Sequence, residues 1–351
     1  MASAPVRGEE FREDLRPLAA GRACVGTGND AARRVLSAAE LAPLTQLHDG
    51  RSLLAVVQTF GAIALAIAFG VWVWPSPWVA LSVLVIGVQQ HALFILAHES
   101  AHYRLLKSRA LNDALGRAIG MAGGISMCTY RVIHRLHHNN LYTEEAPDTA
   151  IHGGYPRGVA YLWKKLALDL AGVNAWKTFA YFFGAPALNT DTQRAARPLD
   201  DTSPALRASA RRDRWLVVAF HVGAPLLALA LGGLLALLLY AVLWLLPIVT
   251  VLQPILRLRA IAEHGAVTDL SSPLTAARCN RTWGSIANTF ARALLFPHHV
   301  NHHLEHHLYP AVPHYHLPRL HRLLHDKGVL AGAEVRDVGA TLRTVFAPRS
   351  T

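Results

Sequence analysis

Charge is scarce in this chain, and what there is leans to one sign. Charged residues make up 16% of its 351 positions and hydrophobic ones 52%, with a mean hydropathy of +0.25. Soluble domains carry charge on about a quarter of their residues, so the composition points to a bilayer. Lys and Arg number 34 against 23 Asp and Glu, a net charge of +11. The basic residues flank apolar runs, as the positive-inside rule requires, and no nucleic-acid recognition motif accompanies them, so no nucleic-acid partner is expected. Cysteine is almost missing. Cys24, Cys128 and Cys279 lie far apart with no CxxC pair, which argues against a disulfide framework and against a cysteine-held zinc or iron-sulfur site. The first fifty residues have no apolar core, so no cleavable signal peptide is expected and insertion falls to internal spans. Gly26-Thr27-Gly28 follows no clear strand and carries little weight as a phosphate loop. No repeat of solenoid period occurs.

What is present in quantity is apolar sequence and histidine. Residues 1–50 read as a cytoplasmic lead-in, 51–325 as a membrane domain and 326–351 as a C-terminal tail. Leu53 to Trp74 is uncharged and ends in tryptophans, as a membrane helix with an interfacial anchor does. Pro75-Ser76-Pro77 breaks it, and Trp78 to Ala97 forms the returning span. Arg104, Lys107 and Arg109 mark that exit as cytoplasmic. Residues 110–133, interrupted by Gly116, Gly120, Gly123 and Gly124, suggest one interfacial or re-entrant helix leading to His134. Turn signals fill 139–158. The mixture of lysines and aromatics from Tyr161 to Leu188 suits amphipathic helices on the membrane surface. A polar linker is expected from Asn189 to Arg214. Trp215 to Leu231 and Leu234 to about Leu256, split by Gly232-Gly233, form a second hairpin, with Arg257 and Arg259 marking its cytoplasmic return. The expected fold is therefore an all-α membrane protein with about four transmembrane helices in two hairpins under a cytoplasmic histidine-rich cap.

Twenty histidines occur, and many are patterned. Asn301 to Pro310 (NHHLEHHLYP) packs four imidazoles into six residues. Each proton taken up by one ring raises the cost of protonating the next, so such a cluster suits a cation. On a helix, His303, His306 and His307 present nitrogens from one face at i, i+3 and i+4. His134, His137 and His138 (HRLHH) repeat that spacing, and His98 and His102 (HESAH) give a two-histidine version. His264, about two turns into the cytoplasmic side after the last span, makes a ninth candidate. Nine imidazoles exceed what one tetrahedral zinc takes. Two ions of higher coordination number fit better, and redox-active iron is favoured over zinc. Glu99 and His102 form one Glu-x-x-His, but without a second copy the carboxylate-bridged di-iron pattern is not met. Glu99 and Glu305 are expected to fix histidine tautomers or to act as helix-end charges. Asp148 and the Glu144-Glu145 pair are read equally as such acceptors or as a solvated loop.

HESAH, HRLHH and HHLEHH, in this order and on this hydropathy pattern, resemble the three histidine boxes of the membrane fatty acid desaturase and hydroxylase superfamily. The resemblance covers roughly residues 50–325, and NHHLEHHLYP is close to its bacterial desaturase-like branch. It implies His303, His306 and His307 as third-box ligands, a non-ligand at His302, and the additional post-span ligand at His264. Some relatives have a polar group one turn earlier, where this chain has Ala260. The implied chemistry is O2 activation at a pair of irons and hydrogen abstraction from an unactivated C–H bond. The favoured outcome is a double bond in a fatty acyl or related lipid chain. Hydroxylation of a lipid or carotenoid-like substrate and oxidative decarboxylation to a terminal alkene are the variants. The boxes do not choose among these; substrate geometry at the metals does. Such a protein works in a membrane, a bacterial inner membrane by this resemblance, with its active site on the cytoplasmic side. No flavin, Rossmann, iron-sulfur or fused cytochrome b5 signature is present, so a separate electron donor of ferredoxin, rubredoxin or cytochrome b5 type is implied.

Two other classes compete. A metal transporter needs polar ligands inside the spans, whereas these histidines cluster outside them. A membrane zinc hydrolase would stay active without oxygen. Among the remaining histidines, His91 and His221 read as structural, and His298 and His299 as turn residues beside Pro297. His314, His316, His321 and His325 read as surface residues, and Arg281, Thr282 and Asn288 as structural or supporting positions.

Overall fold

The computed structural model describes residues 30–141, 146–185, 198–200, 202–267, 269–270 and 272–348. Within these the chain is helical apart from two three-residue strands, Cys279–Arg281 and Val335–Asp337, which pair in parallel. Glu144, Glu145 and Cys24 lie outside the described residues.

Among the described residues, three helices are long and apolar enough to cross a membrane: Asp49–Trp72, Val79–Ala101, and a run from Pro204 to His264. At about 1.5 Å per residue, the first two match a hydrocarbon core of about 30 Å. Their outward faces carry bare apolar side chains, among them Leu54, Val57, Leu65 and Trp72, and in the third run Leu226, Leu227, Leu231 and Leu234. An aqueous surface does not tolerate such a continuous band. Helices of this length and apolarity mark an integral membrane protein.

The Val79–Ala101 helix divides into two halves. Every residue from Gln90 to Ala101 is buried, whereas the earlier half keeps exposed Leu81 and Leu84. Its buried half therefore forms the axis on which the histidine region is built. The expected span ended at Ala97; the helix runs on to Ala101, so His98 and Glu99 are helical and His102 caps the end. Tyr103 then turns the chain in a left-handed conformation (φ 58°).

Residues 110–133 do not form one helix. Arg109–Gly123 ends at Gly124 (φ 78°), and Met127–Asn140 starts anew with the second histidine box. A side chain at Gly124 would strain the backbone and press on Phe179, 2.6 Å from an ideal Cβ. The surface helices Val159–Leu170 and Ala175–Phe182 lie in the expected region.

The linker expected up to Arg214 is shorter, because helix Pro204–Tyr240 begins eleven residues before Trp215, capped by Ser203, whose hydroxyl accepts from the Leu206 N–H. Asp213 in this helix binds Arg117 (3.1 Å) and the Cys128 N–H (2.9 Å). The third apolar run is not straight. Gly233 (φ 66°, ψ −159°) breaks it, and beyond a π-helical turn at Ala241–Leu245 the helix Leu252–His264 follows. Leu243 packs with Ile86, Val251 lies against Gly87, and Ile255 with Ile95. This segment therefore runs alongside Val79–Ala101, in the same direction, to end at the histidines.

Arg257 and Arg259 are not free surface charges. They pair with Asp169 and Glu263. The N-terminal and C-terminal regions close over the third box. Ala32, Leu36 and Leu44 pack with Leu304, Leu308, Leu320 and Leu324, and the Val335–Asp337 strand holds Cys279–Arg281 beside it.

Candidate metal centre

The nine candidate histidines come together in two adjoining groups. His98, His102, His134, His138 and His306 form one; His137, His264, His303 and His307 form the other, with one nitrogen of each ring within 4.8 Å of the others in its group. In the first, Nε2 of His102 lies 2.7 Å from that of His134, which is 3.0 Å from His138, itself 3.0 Å from His306. His98 completes it with ring centroids 4.4 Å from His134 and from His306. In the second, Nε2 contacts run from His137 to His307 (3.2 Å), His307 to His303 (3.1 Å) and His303 to His264 (2.8 Å). The groups touch where the His138 and His307 rings stack, 4.2 Å between centroids.

The three boxes thus converge, but not as the one-faced spacing predicts. Both the Met127–Asn140 helix and the His303–Leu308 helix divide their histidines between the two groups.

Ring polarity shows what the groups are arranged for. Two Nδ1 atoms face acceptors, His137 toward Asp148 Oδ2 (2.8 Å) and His264 toward the Ala276 carbonyl (3.2 Å), while Nδ1 of His98 and His303 make no hydrogen bond but have Glu99 and Glu263 nearby at 3.5 and 3.7 Å. A neutral imidazole has one N–H. Placing it on Nδ1 leaves the Nε2 lone pairs facing one another, an arrangement that repels unless a cation sits among them. This is the arrangement metal-bound histidines adopt, with the far nitrogen held by a carboxylate or carbonyl.

Burial favours the neutral ligand form too. It lowers the pKa of His102 to about 3, with Arg104 adding to the effect. It holds His134, His138, His303, His306 and His307 well below the ordinary value, reinforced in each case by neighbouring imidazoles. Burial by itself would raise Asp148, but His137 and His152 beside it keep its carboxyl well below the usual range.

Asp148 is therefore no solvated loop residue. Glu99 does face His98, and its other oxygen accepts from the His314 N–H (2.9 Å). Glu305 supports neither group; it hydrogen-bonds His321. His152 and Glu263 escaped the sequence reading. His152 is buried with its ring 5.0 Å from that of His264 and lies four residues after Asp148, a helical spacing that could have flagged it. Glu263 could have been noticed as the neighbour of His264.

The expected non-ligands mostly stay apart. His91 is fully buried and outside both groups, and His221 lies in the Pro204–Tyr240 helix. His298 (φ 52°) and His299 (φ 59°) are consecutive left-handed residues just before the third box, the kind of strain that clusters at functional sites. His298 reaches Thr59 Oγ1 (3.1 Å) instead of the groups. His325 is exposed as expected. His314, His316 and His321, expected at the surface, are instead enclosed by the third-box region. Asn288 supports the C-terminal strand by donating to Asp337 (2.7 Å).

A cavity of about 190 Å³ opens beside the second group, with His134, His137, His264 and His303 on its wall. Tyr130, Tyr181, Phe182 and Leu256 line part of it, and Lys165, Lys177 and Arg257 another part.

Apolar spanning helices ending in paired imidazole clusters define a membrane protein whose histidine groups could hold metal ions. The family model for fatty acid desaturases matches residues 72–338, and the chain belongs to that family. It is thus a membrane oxidoreductase of the desaturase and hydroxylase type. No curated protein matches the chain.

Proposed function

We propose that the protein is an O2-dependent di-iron desaturase that introduces a double bond into a fatty acyl or related lipid chain. The observation carrying this reading is the division of nine buried imidazoles into two contiguous groups with converging nitrogens. His98, His102, His134, His138 and His306 would hold one iron, and His137, His264, His303 and His307 the other. When bound, the pair supplies the oxidising power to remove hydrogen from an unactivated C–H bond.

The chain's own residues supply position and exclusion. Asp148 orients His137 through Nδ1, Glu263 and Glu99 place carboxyl groups beside His303 and His98, and the buried half of Val79–Ala101 keeps bulk water from the first group. The cavity beside the second group joins an aromatic wall to basic side chains, a combination suited to an apolar chain with an anionic end. Tyr130 stacks on His134 (5.5 Å between centroids) and fixes that ring against the cavity.

The third apolar run crosses the membrane twice, doubling back at Gly233, in this reading. Its support is that Asp213, near the start, binds beside the second box while His264, at the end, meets the third. Four spans in two hairpins then leave every box on one side. Arg104, Lys107 and Arg109 beside the first box make that side the cytoplasm, and a bacterial inner membrane is the setting. A separate reductant protein docks there, with electrostatic steering of an acidic partner.

The test is lipid and hydrocarbon profiling of cells with and without the protein under oxygen, alongside metal analysis of the purified chain. A new double bond, lost in His137→Ala and His306→Ala, and about two irons per chain are expected. A hydroxyl or a released alkene would assign hydroxylation or decarboxylation instead. Purified protein without iron, or a product formed without oxygen, would refute the proposal.

A further inference from the structure

Outside the two iron groups a third set of metal-ligating side chains closes on itself. Cys279, His302, Glu305 and His321 place one donor atom each within 4.8 Å of the others. Cys279 Sγ lies 3.6 Å from His302 Nδ1 and 3.8 Å from His321 Nδ1. Glu305 Oε1 hydrogen-bonds His321 Nδ1, and Oε2 lies 3.9 Å from His302 Nδ1. Cys279 and Glu305 are fully buried, and His302 and His321 nearly so.

We infer that these four residues form a structural site for a zinc-like divalent cation, separate from the oxidising centre. Tetrahedral zinc with Zn–S of about 2.3 Å and Zn–N of about 2.0–2.1 Å sets its S···N edges at about 3.5 Å. The two S···N edges here are up to a few tenths of an ångström wider, a small contraction away, while the Glu305–His321 hydrogen bond would open to admit the cation between its partners. Four protein donors leave no position for substrate, the mark of a structural site. Thiolate, two imidazoles and a carboxylate make a donor set that suits zinc better than calcium or magnesium.

A plain Glu305–His321 pair explains less. Even with the thiol within hydrogen-bonding reach of both rings, it leaves Glu305 Oε2, buried, without a hydrogen-bond partner among the described residues. Both rings also turn the same nitrogen, Nδ1, to the shared centre. Burial and the adjacent carboxylate push the Cys279 thiol up, so a cation is what would hold it as thiolate, with release of its proton on binding.

The four donors come from three independently held segments. Cys279 sits in the strand paired with Val335 and bridges His302; Glu305 is on the His303–Leu308 helix; His321 is on helix Leu317–Asp326. A cation here would clamp the short third-box helix from the side opposite its iron-facing histidines. The absence of a CxxC pair hid the site in the sequence, because only one of its four donors is cysteine.

The full chain, purified in detergent from zinc-supplemented cells, is analysed for zinc and iron separately, so this inference and the di-iron reading stand or fall apart. One equivalent of zinc is expected. Cys279→Ser and His321→Gln should lose it, and Cys128→Ser should keep it. Cobalt in place of zinc should give a thiolate-to-metal absorption band that Cys279→Ser abolishes; wild-type protein alone carries this readout if the variants fail to fold. Wild-type protein without zinc and without that band overturns the site, as does zinc retained at full occupancy by Cys279→Ser.

Discussion

Asp148→Asn is the substitution that separates the two histidine groups most cleanly. Asp148 Oδ2 lies 2.8 Å from His137 Nδ1, and the carboxylate is largely buried and held in its charged form by His137 and His152. As an anionic acceptor it keeps the His137 proton on Nδ1 and raises the basicity of Nε2, which points into the group with His264, His303 and His307. Asparagine keeps the shape but removes the charge and can turn an N–H toward the ring. Losing such a partner costs 10- to 100-fold in metal affinity, about 1.4–2.7 kcal/mol at about 1.4 kcal/mol per decade. Its ion-pair partners are His137 and His152, neither of which belongs to the other group. In a titration of purified protein with a chromophoric iron chelator, wild type carrying the two proposed irons should release them at high chelator concentration. The variant should release one of them at 10- to 100-fold less chelator and hold the other unchanged. Two irons released together at the wild-type concentration, or two weakened equally, would refute the assignment of Asp148 to the second group.

Acid should destabilise the metal-stripped protein. His102 titrates at about 3 in the fold, chiefly because it is buried, while its unfolded value is near 6.5. A histidine lowered in this way leaves stability untouched above about pH 6.5, and costs stability as pH falls below that value until the folded pKa is reached. At pH 5.5 the cost is about 1.4 kcal/mol per group. His134, His138, His303, His306 and His307 act in the same direction. Thermal unfolding of chelator-treated protein should therefore show a midpoint falling steadily from pH 7 to 5; a flat or rising midpoint contradicts the burial argument. Gly87→Ala tests the close approach of the two helices that carry His98 and His264. An added Cβ would sit 2.5 Å from Val251 Cβ, and overpacking of this kind costs about 1–3 kcal/mol. A melting midpoint equal to wild type would mean that the helices do not meet there.

Much of the architecture was legible because hydropathy and histidine spacing are strong signals. The first two spans, the surface helices and all nine members of the two groups follow from them. The errors have local physical causes. Residues 110–133 look like one glycine-rich helix because glycine within a helix and glycine ending one read alike; only Gly124 takes a positive φ. Polar residues before Trp215 suggest a linker, yet Ser203 and Pro204 are a standard helix start, with the serine capping and the proline at the first turn. His321 and Asp148 look solvated because their neighbours in sequence are polar. Their burial comes from partners on other elements, Glu305 and Cys279 for the first and His137 for the second, and no short-range pattern announces contacts made between separate helices, loops and strands.

The two histidine-rich helices show why the spacing of their boxes is HxxHH and not HxxxH alone. At about 100° per residue, i+4 lies 40° from i on the helix face and i+3 lies 60° away on the other side. A residue pair at i and i+4 can therefore serve one ion while i+3 turns toward a neighbour. In the second box His134 and His138 join the first group and His137 crosses to the second; in the third box His303 and His307 join the second group and His306 crosses to the first. The first box, a bare i and i+4 pair, serves one group only, and His264 alone adds to the other. Each helix with three histidines is thereby tied to both groups, so the distance between the groups is set by two rigid helices instead of by loops. Displacement of either helix disturbs both centres at once, whereas loss of His98 or His264 disturbs one. That difference is built into the spacing, and it explains how a six-residue helix, too short to be stable alone, can place three imidazoles: the packing of Leu304 and Leu308 against Leu320 and Leu324 holds its other face.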